Sequence, residues 1–579
     1  MPFYFLKEML AKKIEKACNH AGVTCDTVMG DLTVPPSLDH GHLSLPCFRL
    51  AKLLNQKANE VSKELAGKFE KEPLMISANA LGPYVNFTWH TPELYEKTLS
   101  TLFSERDKYG SASSHKEKPI VFEFCSPNIA KRLAFQHIRS TLIGNTLANI
   151  YEFCGFSTLR INFVGDWGSQ FGRLLAAIDR WGQKELVHSS DRSAVMGHLF
   201  DLYVRFHKES QQDTSLIEAS QRWLQRMETN DEEAVALWQR VREVSVGSMC
   251  ETLKRMSIRF DFIEGESLYI PLMTNTLAQV KEKGSAKLSE GAWIIDVEGI
   301  STPALIQKRD GTTLYLTRDI AAAIDRYQRF CFDRMFYVVS EQQKLHFQLL
   351  FGVLKKMGLE WSSHCEHLSF GTVLFGAEKM STREGNVIFL DQLLDEAKRL
   401  ALEVCTEKNP DLKDKDEVAE MIGVGAVIFG ELSSHRQRDI QFNWKDILAL
   451  DGETGPYVQY SLVRCRSLLR KAVEEGVTVP AQAVSISGYP FTSEEEALTL
   501  ALAKFRGALF QCLRENEPYH LTHYLIDAAK VFNKFYYRLP VIQAANPAQR
   551  AVRLTLVWGT EQTLKNGLAL LGMKSPQEM

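Results

Sequence analysis

The 579-residue sequence has few of the features that mark membrane, secreted or strongly basic proteins. It contains no run of about 18 apolar residues, which excludes a transmembrane helix. Its eleven cysteines form no C-x-x-C pair, so neither a zinc ribbon nor a disulfide scaffold is predicted, and their odd number favours a reducing compartment. Lysine and arginine total 68 against 71 aspartate and glutamate residues, which excludes a polybasic tail but allows a basic face on one domain.

Both glycine fingerprints for phosphate binding are also missing. There is no G-x-x-x-x-G-K-[ST] segment and no G-x-G-x-x-G segment after a predicted strand, which argues against P-loop ATPases and dehydrogenases. His40 and His42 lie two residues apart in a predicted turn without a further ligand nearby, so we predict no metal site there.

The composition, with 45% hydrophobic and 24% charged residues, is typical of a globular protein with several domains. A small α+β domain is predicted for residues 1–109, and it begins with an amphipathic helix rather than an organelle transit peptide. Within this domain we expect one helix over Phe48–Phe69 and a strand over Leu81–Trp89. A polar linker at residues 110–119 follows.

The middle of the chain predicts an α/β fold with a Rossmann-like doubly wound parallel sheet. Ile120–Phe124 and Leu159–Val164 are strand-like, and between them the apolar residues of His137–Phe153 recur at helical spacing. Such a β-loop-α-β unit is typical of nucleotide-binding sheets. Further strands that alternate with helices are expected to continue the parallel sheet: Trp293–Val297, Leu314–Leu316, Met335–Val339 and Val387–Phe389.

The remaining domain limits follow from the same patterns. The α/β domain is expected over residues 118–395, with a charged helical insertion at about 173–260. Strand signals nearly vanish after Val418, which predicts a helical connector at 396–450 and an all-α bundle at 451–579.

Two loops carry cations where the phosphates of a nucleotide could bind. The first, Ser126–Lys131 (SPNIAK), follows the first predicted strand, and His137 opens the next helix. The second is Lys379–Asn386. Ligands of open α/β sheets bind beyond the carboxyl ends of the strands and against helix N-termini, so both loops are candidates for a polyphosphate site. Taken alone, His137 fits a helix cap equally well.

The order of these motifs resembles that of the arginyl-tRNA synthetases, a class I aminoacyl-tRNA synthetase family, over essentially the whole chain. Ser126–Lys131 matches the family's S-P-N-I-A-K, and His137–Thr141 follows as its H-L-R-S-T. The later matches, in the family's order, are the G-D-W-G-x-Q-F-G block at Gly165–Gly172, then Gly265–Ser267, Gly311–Asp319, Gln342–His346, the K-M-S-K-S loop at Lys379–Arg383, and Asp451–Tyr460. The resemblance implies a class I catalytic core, an N-terminal tRNA-binding domain, a connector that contacts the tRNA stem and an anticodon-binding bundle.

The resemblance also implies roles for individual residues. Arginine carries a guanidinium, which needs a carboxylate and planar acceptors, and the matched arginine-binding positions are Ser126, Asn128, Glu266, Tyr315, Asp319 and Gln343. The catalytic residues expected to stabilise charge on the polyphosphate are Lys131, His137, Lys379, Ser381 and Arg383, and the ATP-binding residues are Gln136, Arg139, His346 and Met380. The implied reaction uses ATP with Mg2+ to form arginyl-adenylate and then transfers arginine to the 3′ end of tRNA(Arg). In this family the first step generally needs tRNA.

The C-terminal bundle is mildly basic. Residues 451–579 carry 14 Lys and Arg against 12 Asp and Glu, a net charge of +2, which leaves −5 for the rest of the chain. Tyrosines at helical spacing are typical of a bundle core, but they can also stack on anticodon-loop bases. The residues expected to contact tRNA are Tyr457, Gln459, Tyr460, Tyr536 and the C-terminal Met579.

The sequence departs from the family at its H-x-G-H signature. The four positions are Ala134, Phe135, Gln136 and His137, so the first histidine and the glycine are absent. The glycine lets adenine lie against the backbone, and Gln136 adds bulk there unless it turns outward. Thr382 replaces a lysine of K-M-S-K-S, and Arg132 stands where the family often has proline.

The main prediction is an active arginine–tRNA ligase in which Lys131, Lys379 and Arg383 supply compensating charge. One alternative is a synthetase-like protein that binds tRNA without catalysis. A more distant one is a small-molecule adenylating enzyme of the same fold, which would not need the last 130 or so residues. We expect a monomer without membrane association in a bacterial cytoplasm, with a mitochondrial matrix as the alternative.

Overall fold

The structure, a computed structural model, describes residues 2–33, 35, 40–69, 75–112, 117–375, 388–484, 486 and 488–579. The N-terminal part contains an antiparallel sheet with the strand order β1-β3-β2, flanked by helices. Its elements are α1 (Pro2–Cys18), α2 (Cys25–Asp31), β1 (Leu43–Pro46), α3 (Phe48–Leu54), α4 (Ala58–Lys68), β2 (Met75–Leu81), β3 (Tyr84–Trp89) and α5 (Thr91–Glu105).

Two expectations for this part were wrong in detail. The helix expected over Phe48–Phe69 is broken, because Asn55 adopts a left-handed conformation (φ 53°) that ends α3. The strand expected from Leu81 begins three residues later. Leu81 instead closes β2, and a turn at Gly82 (φ 57°) reverses the chain into β3.

The central part is the doubly wound α/β domain that the sequence predicts. Its strands are β4 (Ile120–Glu123), β5 (Thr158–Val164), β6 (Phe262–Gly265), β7 (Lys287–Ser289), β8 (Ala292–Ile295), β9 (Ala304–Gln307), β10 (Arg334–Tyr337) and β11 (Cys365–His367). Its helices are α6 (Ile138–Phe153), α7 (Ser169–Trp181), α8 (Lys184–Val187), α9 (Arg192–Glu209), α10 (Ser215–Glu228), α11 (Glu232–Arg255), α12 (Met273–Lys283), α13 (Tyr315–Phe330) and α14 (Lys344–Lys356).

Five of these strands form one parallel sheet in the order β11-β10-β4-β5-β6. The chain winds from β4 through β5 to β6, then crosses to the other side of β4 for β10 and β11. The winding direction therefore changes between β4 and β10, and ligands of such sheets bind beyond the carboxyl ends of the strands at this switch point. Side chains of β4 alternate between two cores: Val121 belongs to a cluster with Ile320 and Val353, whereas Phe122 belongs to one with Leu142.

Three of the expected sheet strands do not belong to this sheet. Trp293 lies in β8, which pairs antiparallel with β7 and β9 in a separate sheet, and Tyr315 begins α13. Phe389 makes an isolated bridge with Ala134, and Val387 lies outside the described residues. The outer strands β6 and β11 were not predicted, because their sequences, Phe-Ile-Glu-Gly and Cys-Glu-His, lack the apolar run that marks Ile120–Phe124.

The rest of the chain is largely helical. The segment after the α/β domain contains β12 (Val373–Phe375), α15 (Leu390–Lys408), α16 (Lys415–Leu432), β13 (Ile440–Phe442), which pairs with β12, and α17 (Trp444–Ile447). The C-terminal bundle consists of α18 (Gly455–Glu474), α19 (Ser493–Ala503), α20 (Phe505–Glu515), α21 (Tyr519–Arg538) and α22 (Pro547–Leu570). The N-terminal part docks on α19, where His42 Nε2 lies 3.1 Å from Glu496 Oε1. Within the described ranges, no helix has the length and apolar character that a membrane span requires.

Candidate active site

The loops that carry the predicted site residues meet at the carboxyl edge of the parallel sheet. The SPNIAK loop follows β4, Gly165 follows β5, Glu266 follows β6, and the segment with Gln343 follows β10. Because these four strands are parallel neighbours, their ends bring together loops that are up to about two hundred residues apart in sequence.

The SPNIAK loop has a strained backbone. Cys125 (φ 73°), Ser126 (φ 44°) and Ala130 (φ 70°) all adopt left-handed conformations, which cost non-glycine residues roughly 1–3 kcal/mol each. The surrounding structure satisfies their amides: the N–H of Cys125 donates to Ser140 Oγ (2.9 Å), and the N–H of Ala130 donates to Ser245 Oγ (3.2 Å). The loop is therefore fixed in shape before a ligand arrives.

Asn128 is held at the edge of the site by the turn that follows β5. Pro127 O accepts from the N–H of Gly165 (3.0 Å), and the N–H of Ile129 donates to Gly165 O (3.2 Å). A side chain at Gly165 would place its Cβ 2.0 Å from Asn128 Oδ1, so glycine allows the Asn128 amide to keep this position. Asn128 remains exposed, whereas the neighbouring Ser126 has a buried hydroxyl with no hydrogen-bond partner among the described residues.

Asp166, which directly follows Gly165, is fully buried and binds the turn that carries Glu266. Its carboxylate accepts from the N–H (2.9 Å) and the hydroxyl (2.8 Å) of Ser267, and from Arg242 Nε (2.7 Å). A Cβ at Gly265 would lie 1.8 Å from Asp166 Oδ2, so the close approach again depends on glycine. The G-D-W-G motif therefore contacts the G-E-S motif directly, through Asp166 on one side and Gly265 and Ser267 on the other.

The predicted guanidinium pocket is acidic and contains an arginine of the chain itself. Glu266 is 8% exposed and forms an ion pair with Arg318, whose guanidinium also lies 5.2 Å from the centre of the Tyr315 ring. Burial raises the pKa of Glu266 to about 7, although Arg318 opposes the rise. Arg318 was not predicted as a site residue, yet its guanidinium already occupies one side of this carboxylate.

Asp319, a further predicted pocket residue, lies near Glu266. Asp319 accepts a 2.6 Å hydrogen bond from His346 Nε2, so a residue predicted for arginine and one predicted for ATP are in direct contact. Gln343 ends a 3-10 turn at Glu341–Gln343 and is exposed, as is Tyr315.

Lys131 projects from the end of the SPNIAK loop onto a tyrosine of the helical insertion. Its Nζ donates to the hydroxyl of Tyr203 (2.9 Å) and lies 4.1 Å from the ring centre. Tyr203, in α9, was not predicted, because nothing in its local sequence distinguishes it from other tyrosines of an amphipathic helix.

The surroundings of His137 favour a neutral ring. Burial, assisted by nearby Lys131, lowers the pKa of His137 to about 4, so the ring is neutral at physiological pH. Its Nδ1 lies 3.2 Å from the N–H and 3.1 Å from the carbonyl of Ala134. His137 is therefore a hydrogen-bonding group, while Gln136 beside it is exposed.

The divergent signature segment pairs with the residues that follow the K-M-S-K-S loop. The N–H of Phe135 donates to Ile388 O (3.0 Å), and the N–H of Leu390 donates to Leu133 O (2.8 Å). Arg132 Nε donates to Asp391 Oδ2 (3.0 Å), and its guanidinium lies 4.8 Å from the centre of the Phe389 ring. The predicted residues Lys379, Met380, Ser381 and Arg383 themselves lie outside the described residues.

Arg139 does not lie where a direct ATP contact requires. It is 1% exposed, and its guanidinium donates to the carbonyls of Arg438 (2.6 Å) and Gly371 (3.3 Å). Its position just after the signature makes it a buried connection between α6 and the segment that contains β12 and β13.

Three tyrosines surround one arginine on the C-terminal bundle. The Arg464 guanidinium lies 4.8 Å from the ring centre of Tyr460, 4.7 Å from that of Tyr536 and 5.1 Å from that of Tyr537. Tyr460 is 38% exposed and Tyr537 is 73% exposed. Tyr537 and Arg464 were not predicted, although Tyr537 directly follows Tyr536 and Arg464 lies four residues after Tyr460, on the same face of the helix.

The other residues predicted to contact tRNA are less accessible. Gln459 is fully buried, and its amide donates to Met421 O (3.0 Å) and Lys574 O (2.8 Å), so its position contradicts a direct RNA contact. The Tyr457 hydroxyl accepts from Asn533 Nδ2 (3.0 Å). Met579 is half-buried and lines a cavity of about 350 Å³ together with Tyr460.

The described part of the chain contains no group of three or more His, Cys, Asp or Glu side chains placed to hold a metal ion. All eleven cysteines are free thiols.

Three family models match consecutive parts of this chain. They describe an arginyl tRNA synthetase N-terminal domain (residues 5–89), a class I tRNA synthetase (R) catalytic domain (98–444) and a DALR anticodon-binding domain (458–579). The arginine–tRNA ligase of Clostridioides difficile is 41% identical over 95% of both chains, and that of Halothermothrix orenii is 37% identical over 99% of both.

Solved structures show the same fold. Thermus thermophilus arginyl-tRNA synthetase superimposes with a TM-score of 0.82 at 24% identity, over the full length of both chains. The Plasmodium falciparum arginyl-tRNA synthetase has a TM-score of 0.79 at 24% identity, with 98% of this chain and 99% of that chain covered.

The sheet topology and the catalytic-domain match define a class I aminoacyl-tRNA synthetase, an enzyme that uses ATP. Within that class, the chain belongs to the arginyl-tRNA synthetase family, the arginine–tRNA ligases.

The contact between Arg132 and Asp391 gives a first prediction. This pair joins the end of the SPNIAK loop to the segment after the K-M-S-K-S loop, so Arg132→Ala and Asp391→Ala should each raise the KM for ATP. The KM of the double variant should be little higher than that of either single variant. The coupling energy should be about 1 kcal/mol, roughly fivefold in KM. The measurement is a double-mutant cycle in steady-state aminoacylation, with Arg399→Ala, an exposed arginine of α15, as the control. Additive effects would contradict the coupling.

Proposed function

We propose that the ligase activity of the family is performed in this chain by the loops at the carboxyl edge of the parallel sheet. The main support for this proposal is that the carboxyl edge of the sheet carries both the acidic pocket around Glu266 and the SPNIAK loop with Lys131. The arginine carboxylate attacks the α-phosphate of ATP, releasing pyrophosphate, and the terminal ribose of tRNA(Arg) then takes the arginyl group.

Arginine is recognised by charge and shape in this proposal. Glu266 and Asp319 provide carboxylates for the guanidinium, and Arg318 moves aside from Glu266 when the substrate guanidinium replaces it. Exposed Tyr315 and Gln343 add a ring face and an amide. Lysine would leave planar acceptors unpaired, which discriminates strongly against it.

The amino-acid end of arginine is positioned by the strained loop. The exposed amide of Asn128 is accessible to a ligand, and the buried, unpartnered hydroxyl of Ser126 lies two residues away on the same loop. No protein nucleophile is needed, because the substrate carboxylate is itself the nucleophile. Catalysis consists of holding this carboxylate near the α-phosphate and stabilising charge on the phosphates.

The polyphosphate is stabilised by charge and by hydrogen bonds. Lys131, Lys379 and Arg383 supply positive charge, and neutral His137 donates a hydrogen bond. The remaining nucleotide contacts are assigned to Gln136, His346, Met380 and Ser381. Mg2+ enters with ATP and neutralises phosphate charge. Arg139 acts only by holding α6 in place.

The tRNA anticodon loop is assigned to the tyrosine cluster of the bundle. Tyr460, Tyr536 and Tyr537 offer rings around the cation of Arg464, and stacking on such rings contributes roughly 1–3 kcal/mol per base. Met579 borders the same surface, whereas Tyr457 and Gln459 hold α18 in position.

The proposal also includes the domain limits predicted from the sequence, a monomeric state and a cytoplasmic location. The bacterial origin of the relatives and the free thiols support the location.

The direct test is ATP–pyrophosphate exchange with arginine, measured with and without tRNA(Arg). We expect exchange that depends on arginine and on tRNA, and no exchange with lysine. Absence of exchange under both conditions would contradict the active-enzyme proposal and favour a tRNA-binding protein without catalysis. Exchange that needs no arginine would favour a different adenylating enzyme.

The raised pKa of Glu266 predicts a pH dependence for arginine use. The substrate guanidinium needs the carboxylate form, which is lost as pH falls through about 7, so kcat/KM for arginine should drop about tenfold between about pH 8 and about pH 6. Glu266→Gln should lower kcat/KM at the higher pH by about 10- to 100-fold and abolish this pH dependence. Glu290→Gln, an exposed acid, is the control. An unchanged pH profile in Glu266→Gln would contradict the assignment.

A further inference from the structure

A second large cavity lies where the three parts of the chain meet. It has a volume of about 760 Å³. Its lining includes Lys7 of α1, Ile120 and Arg334 of the parallel sheet, Arg514 of α20, and Lys504, the residue before α20. Pockets that bind small molecules span about 300–1,000 Å³, so the size suits a nucleotide or a polyphosphate.

The cavity is separate from the catalytic site. Ile120 and Arg334 are the first residues of β4 and β10, so the cavity lies at the amino ends of these strands. The catalytic loops follow the carboxyl ends of the same strands. The sheet therefore lies between the two sites, and of the predicted catalytic residues that the structure describes, none lines the cavity.

The lining has an excess of positive charge. Lys7, Arg334, Lys504 and Arg514 face it, and Asp527 is the single carboxylate among the lining residues. At the rim, Glu515 binds Arg514 (2.8 Å) and His520 (2.7 Å), which leaves a net positive charge even when this carboxylate is counted.

Burial makes this arrangement costly without an anion. It lowers the pKa of Lys7 to about 8, with Arg514 lowering it further, and it lowers the pKa of Lys504 to about 8 although Asp527 opposes the change. Two lysines that are partly removed from water near other cations are stabilised when a multivalent anion enters. Tyr151 and Phe156 also line the cavity wall, where their rings pack against each other.

We propose that this cavity is a second ligand site that takes a small phosphate-bearing anion, of polyphosphate or nucleotide size. Because its lining comes from the N-terminal part, the sheet and the C-terminal bundle, a bound anion cross-links all three. An anion in this site stabilises their mutual docking without touching the reacting groups.

The test uses inorganic tripolyphosphate with the full chain. Calorimetric titration of the unaltered protein should show two sites, one catalytic and one in the cavity. Lys504→Met and Arg514→Met, separately and together, should weaken one site at least about tenfold and leave ATP–pyrophosphate exchange unchanged, since methionine keeps the length of the lysine stem. Lys131→Met should weaken the other site only.

Lys534→Met, an exposed lysine of α21 outside the cavity lining, is the matched control and should change neither site. If Lys504→Met fails to fold, Arg514→Met still tests the proposal, because Arg514 is exposed and its replacement should not disturb the core. Unchanged tripolyphosphate binding in the cavity variants would overturn the proposal. A higher KM for tRNA with unchanged tripolyphosphate binding would also overturn it, in favour of an RNA contact.

Discussion

The hydrogen bonds of the buried Asp166 carboxylate are the constraint on which the geometry of the proposed arginine site depends. It accepts three hydrogen bonds, two from Ser267 and one from Arg242, and it directly follows Gly165, whose backbone holds the SPNIAK loop. Gly165 and Asp166, the two residues that follow β5, therefore fix the distance between Asn128 and Glu266, which are assigned to the two ends of arginine. Glycine is needed at 265 because a side chain there would overlap the buried Asp166 carboxylate, whereas a side chain at 165 would displace the exposed Asn128 amide.

The divergent signature is compatible with this geometry because backbone pairing, rather than the missing side chains, positions it. Phe135 and Leu390 connect the signature segment to the residues after the K-M-S-K-S loop through main-chain N–H donors that every residue except proline has. Arg132 adds an ion pair with Asp391 that a proline at this position could not form. The loss of a histidine at 134 therefore removes a phosphate donor but leaves the path of the chain intact.

The sequence predicts the β4-loop-α6-β5 unit well, because Ile120–Phe124, the helical period after His137 and Leu159–Val164 each carry a clear local pattern. The three- and four-residue strands β6 and β11 show no such pattern, and β8 looks locally the same whether its neighbours are parallel or antiparallel. Motif order predicts which residues gather at the sheet edge. It does not predict Arg318 beside Glu266, Tyr203 beside Lys131 or the buried state of Gln459, since these depend on distances across the fold.

We infer that Asp166 preorganises the proposed arginine site rather than merely stabilising the domain. The most direct test is the steady-state KM for arginine of Asp166→Asn, measured beside its KM for ATP. Asparagine keeps the shape but loses the charge that Arg242 and Ser267 bind. The predicted result is a KM for arginine raised about tenfold or more, with the KM for ATP within about twofold of the unaltered protein. An unchanged KM for arginine would contradict the claim.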